Sequence, residues 1–199
     1  MIEKYPEIAL ERFDKANFWI LYFVFKIRKF LKDGILEVGA GCGSFTKGYM
    51  KNFQSITLSD MDDNSYNLLK KNFINEKKIN VIKSHVKDIN DKFNTLLYFN
   101  VLEHVKEDKL EIKYALERLN LGGHLIILVP AHQKIYSNLD RAEGHYKRYD
   151  INFFKKETFP SALKIFIWDK VFTPITTIVD FLTGYKFGKN ILCIYKKVS

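Results

Sequence analysis

Ile35-Leu36-Glu37-Val38-Gly39-Ala40-Gly41-Cys42-Gly43-Ser44-Phe45-Thr46 decides the fold. Four residues suited to a short buried strand run into glycines at alternate positions, and the start of a helix follows. Without a Cβ at those positions, main-chain N–H groups can approach a ligand over the end of the strand. The helix start adds a positive dipole end beside it. The spacing is G-x-G-x-G; the nicotinamide pattern G-x-G-x-x-G fails because position 44 is Ser. Glu37, just before the first glycine, favours a ligand carrying a positive group over a bare pyrophosphate.

Outward from this turn the chain alternates strands and helices. Helices are predicted over 44–51, 65–73 (capped by Asp62-Asp63-Asn64) and 109–119, between strands at 55–59, 80–84, 95–99 and 124–129. The run Leu125 to Val129 reads as a central strand, buried on both faces and ended by Pro130. This alternation predicts an α/β fold with a parallel, doubly wound sheet. Upstream, Pro6 opens a helical pattern reaching about Leu31, one long helix or two shorter ones, nearly encircled by apolar residues in its second half. It reads as a helix packed on the sheet, with a lid over the pocket (residues 1–33) or an interfacial membrane contact as the sharper alternatives. Downstream, the polar, aromatic and His-rich connection from Ala131 to Tyr149 is too long for an ordinary loop and marks a functional insertion, 131–160. A helix near 151–157, a strand near 163–168, a helix over 174–183 and a last strand at 190–196 complete the reading.

A chain of 199 residues is most simply one domain with a sizeable core. Cys42 and Cys193 make no disulfide framework, which points to a reduced, cytoplasmic setting. The N-terminus, with Glu3, Pro6 and Glu7, does not read as a secretory leader. The apolar run Phe18–Phe25 is far shorter than the ~20 residues of a membrane span. The net charge of +9 raises nucleic acid as a partner. Only Arg12, Arg28, Arg118, Arg141 and Arg148 are Arg, however, and the scattered Lys residues describe a solvated surface better than a polyanion site.

The ends of the strands carry the candidate chemistry. Asp60, closing the second strand, sits where an acid commonly binds ribose hydroxyls, and Met61 beside it can pack on an adenine face. His85 and Val86 follow the third strand, Asp88 lies three residues past His85, and Asn100 ends the fourth. The segments ILEVGAGCGSFT, ITLSD, FNVLEHVKED and LGGHLIILVP, in this order, resemble the class I methyltransferases that use S-adenosylmethionine (SAM). The resemblance is closer to a bacterial small-molecule subset, through PAHQKIYSNLDRAEGHYKRY (Pro130–Tyr149) and FGKNILCIYKK. It implies a Rossmann-like sheet of about seven strands with the last antiparallel, helices on both faces, and SAM as cofactor with S-adenosylhomocysteine (SAH) as product. It further implies that Glu37, Gly39, Ala40 and Gly41 meet the methionine part, Asp60 and Met61 the adenosine, and Asn100 the methionine side. The family's adenine-side acid aligns with His85, so His85, Val86 and Asp88 all stand as adenine candidates. The segment between Tyr149 and Leu163 is shorter than in relatives, which leaves the acceptor pocket's shape open.

SAM brings its own sulfonium leaving group, so the protein must mainly place a nucleophile in line with the methyl. His104, His132 and His145 fall on segments expected at the sheet's C-terminal edge and are the candidate bases. Tyr136, Arg148 and Tyr149 are the candidate acceptor-binding residues. No metal is expected: the cysteines are far apart, and only Glu103-His104 and Glu143/His145 approach ligand spacing. The acceptor is expected to be a small molecule, or lipid-linked or glycan-type, methylated on O or N. Peripheral contact with the inner membrane surface is compatible with this, and no obligate protein partner is evident. The alternatives are a SAM-binding protein without transferase activity and, on charge alone, an RNA methyltransferase.

Overall fold

The structure, a computed structural model, describes residues 17–156 and 190–198. Among these residues six strands form one sheet, in the order β3-β2-β1-β4-β5-β6. They are β1 (Ile35–Val38), β2 (Ile56–Ser59), β3 (Ile79–Ile82), β4 (Phe93–Phe99), β5 (Leu119–Pro130) and β6 (Asn190–Lys196). Neighbours pair in parallel except β5 and β6, which are antiparallel. The doubly wound expectation and the antiparallel last strand therefore hold. The strand near 163–168, the helix over 174–183 and the N-terminal helix before residue 17 lie outside the described residues.

Alternation along the central strands builds two cores. Leu96, Tyr98, Leu125 and Ile127 face one side of the sheet, while Leu97, Phe99, Ile126 and Leu128 face the other. The second core is covered by α1 (Asn17–Ile27), α2 (Ser44–Tyr49) and α3 (Asp63–Asn72), through Ile20, Phe45 and Leu69 among others. The first is covered by α4 (Asp108–Glu117) and α6 (Ile151–Lys156), through Ile112 and Phe154. Burying both faces is why β5 reads as a continuous apolar run. It also extends further back than the sequence suggests. Asn120-Leu121-Gly122-Gly123, between the helix expected to end at 119 and the strand expected from 124, lies inside the strand, where the register shifts between Phe93 and Thr95 of β4.

α1 packs beside α2, with Val24 close enough to Gly48 that an added Cβ would come within 3.0 Å of it. Ile20, Phe23, Val24 and Ile27 are buried there. α1 is thus a sheet-covering helix over its described length, and no helix among the described residues is long and apolar enough to cross a membrane.

Candidate functional site

Strands β1 and β4 are neighbours in space, but the chain leaves them in opposite directions, so their C-terminal ends open a crevice. A cleft of about 550 Å³ sits there, within the range usual for small-molecule sites. Gly39, Ala40, Gly41, Asp60, Met61, His85, Val86, Asn100 and His104 all line it. A second groove of about 580 Å³, between α1 and the end of α2, is lined by Leu21, Phe25, Arg28 and Phe53 and gathers no comparable polar groups.

The glycine turn works differently from the sequence expectation. The N–H groups of Gly39 and Ala40 both donate to the Ser59 carbonyl, at 2.8 and 3.2 Å, and that of Gly43 donates to Ala40. Gly41 N–H donates to Asp60 Oδ2 at 2.9 Å. With these donors satisfied inside the protein, the turn is no cradle for a phosphate; it brings bare backbone to the cleft wall. Gly39 has φ +64°, and a Cβ there would lie 2.7 Å from Val101 Cγ2. Gly43 has φ +79°, and a Cβ would enter the Phe73 ring at 2.3 Å. Both positions require glycine, for conformation and for space.

Asp60 ties this turn to the exit of β2, since its other oxygen accepts the Asp62 N–H at 3.0 Å. Burial raises its pKa against those two hydrogen bonds. Across the cleft, Asn100 adopts φ +54° at the end of β4, with its N–H donated to Leu128 at 2.8 Å. Asn is the ordinary residue best able to hold that backbone. Phe45 and Phe99 stack at 4.1 Å and form an apolar wall, which Trp19 of α1 supports from behind at 5.5 Å. The described part of α1 thus backs the wall and contributes no lining residue.

Glu37 does not line the cleft. It is 2% exposed and accepts hydrogen bonds from Tyr49 (2.6 Å) and Thr46 (2.7 Å) beneath the turn. Burial pushes its pKa up to about 7 despite those donors. Its place is structural because the inward face of β1 points at α2, which supplies both hydroxyls. Asp88, one of the three adenine-side candidates, is also outside the lining; His85 and Val86 are inside it.

The connection after β5 closes on itself. Asp140, in α5 (Asn138–Ala142), is 1% exposed and collects Ser137 N–H and Oγ at 2.8 and 2.9 Å on one oxygen. Its other oxygen takes Arg148 Nε at 2.7 Å and His145 Nδ1 at 3.1 Å. Burial opposes ionisation, but these donors hold the carboxyl below its usual range. Tyr136 donates its hydroxyl to the His145 carbonyl at 2.6 Å. Tyr149 is 1% exposed, its hydroxyl 2.8 Å from both the Leu102 carbonyl and Asp108 Oδ2.

Of the residues expected to bind the acceptor, Tyr136 and Arg148 are therefore committed within the connection and Tyr149 to Leu102 and Asp108 outside it, and none of the three lines the cleft. His132, with φ +64°, and His145, whose Nδ1 is held by Asp140, are likewise outside the lining. His104 remains at the cleft. Its Nδ1 donates to the Gly144 carbonyl at 3.2 Å, and its ring packs edge-on against His145 at 4.7 Å. Burial, with the His145 ring as a further unfavourable neighbour, lowers its pKa to about 4. The residue is neutral at neutral pH, an acceptor of hydrogen bonds but a weak base. Phe45 and Phe99 line the cleft beyond the residues the sequence singles out, and Tyr146 of the connection lines it too. The first two stand beside the glycine turn and Asn100, and that proximity is the signal available for them.

The methyltransferase domain family matches residues 11–165. The chain belongs to that family, within the class I SAM-dependent methyltransferases. Among solved structures it resembles N-methyltransferase NodS from Bradyrhizobium japonicum WM9, with TM-score 0.64 at 14% identity over 97% of this chain and 99% of that one. NodS in complex with SAH gives 0.59 at 16% identity over 83% and 79%. The YcgJ protein from Bacillus subtilis gives 0.67 at 10% identity over 92% and 99%. At such identities the likeness shows the fold alone. Comparison of the sequence with curated proteins finds no match.

Proposed function

We propose that the cleft holds SAM with its methionine end at the Gly39–Gly41 turn and Asn100, and its adenosine toward Asp60, Met61, His85 and Val86. The methyl group then passes to an O or N nucleophile of a small-molecule, lipid-linked or glycan-type acceptor entering beside His104 and Tyr146. The observation that carries this reading is one cleft at the sheet's switch point that gathers Gly41, Asp60 and Asn100 in its walls. NodS, of similar fold, forms a complex with SAH, which supports the cofactor. As NodS is an N-methyltransferase, a nitrogen acceptor is the first class to try.

The residues act by position. Asp60 keeps a carboxylate at the ribose end while fixing the glycine turn through Gly41. Phe45 and Phe99 keep water from one wall. His104, neutral and with Nδ1–H committed to Gly144, presents Nε2 as an acceptor that can orient an acceptor's O–H or N–H. Orientation of this kind can supply several kcal/mol of the barrier. Neither His132 nor His145 takes part in the transfer directly.

The test is transfer of a labelled methyl from SAM to a panel of amines, hydroxyls and carboxylates. Transfer to one chemical class is the expected result. Bound SAM with no transfer to any class would leave a binding protein in place of the enzyme.

A further inference from the structure

We propose that Glu103, His104 and His145 form a binding site for one divalent transition-metal ion of the zinc class at the acceptor side of the cleft. One ligand atom from each of the three lies within 4.8 Å of the other two. They come together because the 3-10 turn Leu102–His104 leaves β4 directly beneath the connection, and Tyr146 N–H is donated back to the Glu103 carbonyl at 2.7 Å.

Both imidazoles are oriented as metal ligands usually are. A carbonyl can only accept, so the His104 Nδ1 facing Gly144 carries the proton and Nε2 the lone pair. The Asp140 carboxylate does the same for His145 through its Nδ1, at 3.1 Å. Carboxylate or carbonyl partners on the far nitrogen fix the tautomer and raise the basicity of the ligating one. Glu103 supplies the independent observation. It is 1% exposed, and its Oε2 is buried without a hydrogen-bond partner. Burying such an oxygen unpaired is costly, and a cation would satisfy it. The charges facing Glu103 are Arg148, Glu143 and Asp140, so the two acids offset the guanidinium. Glu143 Oε2 also lies 3.7 Å from His145 Nε2, as an outer carboxylate.

Two imidazoles and one carboxylate select a zinc-like ion over magnesium or calcium. Tetrahedral bonds of about 2.1 Å put ligand atoms ~3.4 Å apart, so closure takes about an ångström of movement, and Glu103 Oε2, which no hydrogen bond holds, can make it. Three protein ligands leave a position open, and His104 lines the cleft; with the ion bound, the His104 Nε2 lone pair serves the metal, and an acceptor meets the ion in place of Nε2. That an acceptor's oxygen or nitrogen takes this open position rests on the methyl-transfer reading above; metal binding itself does not.

The full chain, stripped with chelator, is titrated with Co²⁺ while visible ligand-field bands are followed, and with Zn²⁺ against a chromophoric chelator. The expected result is a single site per chain with tetrahedral-type bands. Glu103→Gln and His145→Ala should each weaken it at least tenfold, and Asp140→Asn should weaken it roughly 10- to 100-fold through orientation alone. Thermal stabilisation by SAM in Glu103→Gln reports the fold and the cofactor cleft, so failure of metal binding and failure of the SAM reading are separable. No ligand-field band, or Zn²⁺ binding equal in Glu103→Gln, would overturn the site and leave Glu103 a buried neutral acid.

Discussion

The glycine-turn side of the cleft and the connection after β5 are both polar, and both sit at the C-terminal edge of the same sheet. They use their polarity in opposite ways. The turn satisfies its own N–H groups through Ser59 and Asp60 and presents bare backbone to the cleft. The connection turns Arg148 and His145 inward onto Asp140 and offers the cleft little beyond Tyr146 and the support of His104. One region is a bare wall open to the cleft; the other is a clip whose interior is an ion-paired hub. A residue's usefulness to a ligand thus depends on whether its neighbours have already claimed it.

This contrast can be broken from either side. The largest effect is expected from Gly41→Val: φ at this position is +58°, so a β-branched side chain is strained and stands in the cleft. SAM affinity should fall more than about 100-fold, measured by titration calorimetry, and an unchanged affinity would mean the turn is not the ligand wall. On the other side, Asp140→Ala leaves Arg148 and His145 without their shared carboxylate. Breaking a buried pair of this kind costs about 3–5 kcal/mol in denaturant unfolding. SAM affinity of the folded fraction should stay within about threefold, and a loss as large as that of Gly41→Val would merge the two regions.

A pH effect of intermediate size belongs to Glu37. Its folded pKa, about 7, lies above the ordinary 4.5, so its contribution is fully present below 4.5 and is lost as pH rises through 7. Glu37→Gln can still accept both hydroxyls but does not titrate. Relative to the variant, the native chain should lose up to about 3 kcal/mol between pH 4.5 and 8. Melting curves at the two ends of that range measure the difference, and a constant difference contradicts the buried placement. The smallest effect is expected of Tyr149→Phe, which removes one hydroxyl from Leu102 and Asp108 and should cost about 1–2 kcal/mol with turnover nearly intact.

Much of the cleft wall is legible in the sequence because sheet topology alone determines it. Once strands end at Val38, Ser59, Ile82 and Phe99 in a parallel sheet, the residues just beyond must meet at one edge. Gly39, Asp60, His85 and Asn100 do so. Glu37 departs from its expected place because period-two alternation turns it away from that edge, beneath the turn, where Tyr49 and Thr46 wait. The connection is legible as a functional insertion but not residue by residue. Nothing in the order of Tyr136, His145, Arg148 and Tyr149 tells that Asp140 gathers two of them, or that Tyr149 reaches Asp108 across 41 positions. Long-range polar pairing has no period to read, and a run such as His-Tyr-Lys-Arg-Tyr fits a ligand surface and a clip equally well.

The most direct test of the ligand wall is thermal unfolding of the native chain with SAM, SAH and NAD, each well above its expected affinity. At a hundredfold excess over Kd, binding to the folded state adds about 2.7 kcal/mol, or roughly 5–10 °C for a chain of this size. SAM and SAH should each raise the melting temperature by that order and NAD should leave it unchanged. A rise with NAD, and none with SAM or SAH, would contradict the cofactor assignment and with it the reading of the glycine turn.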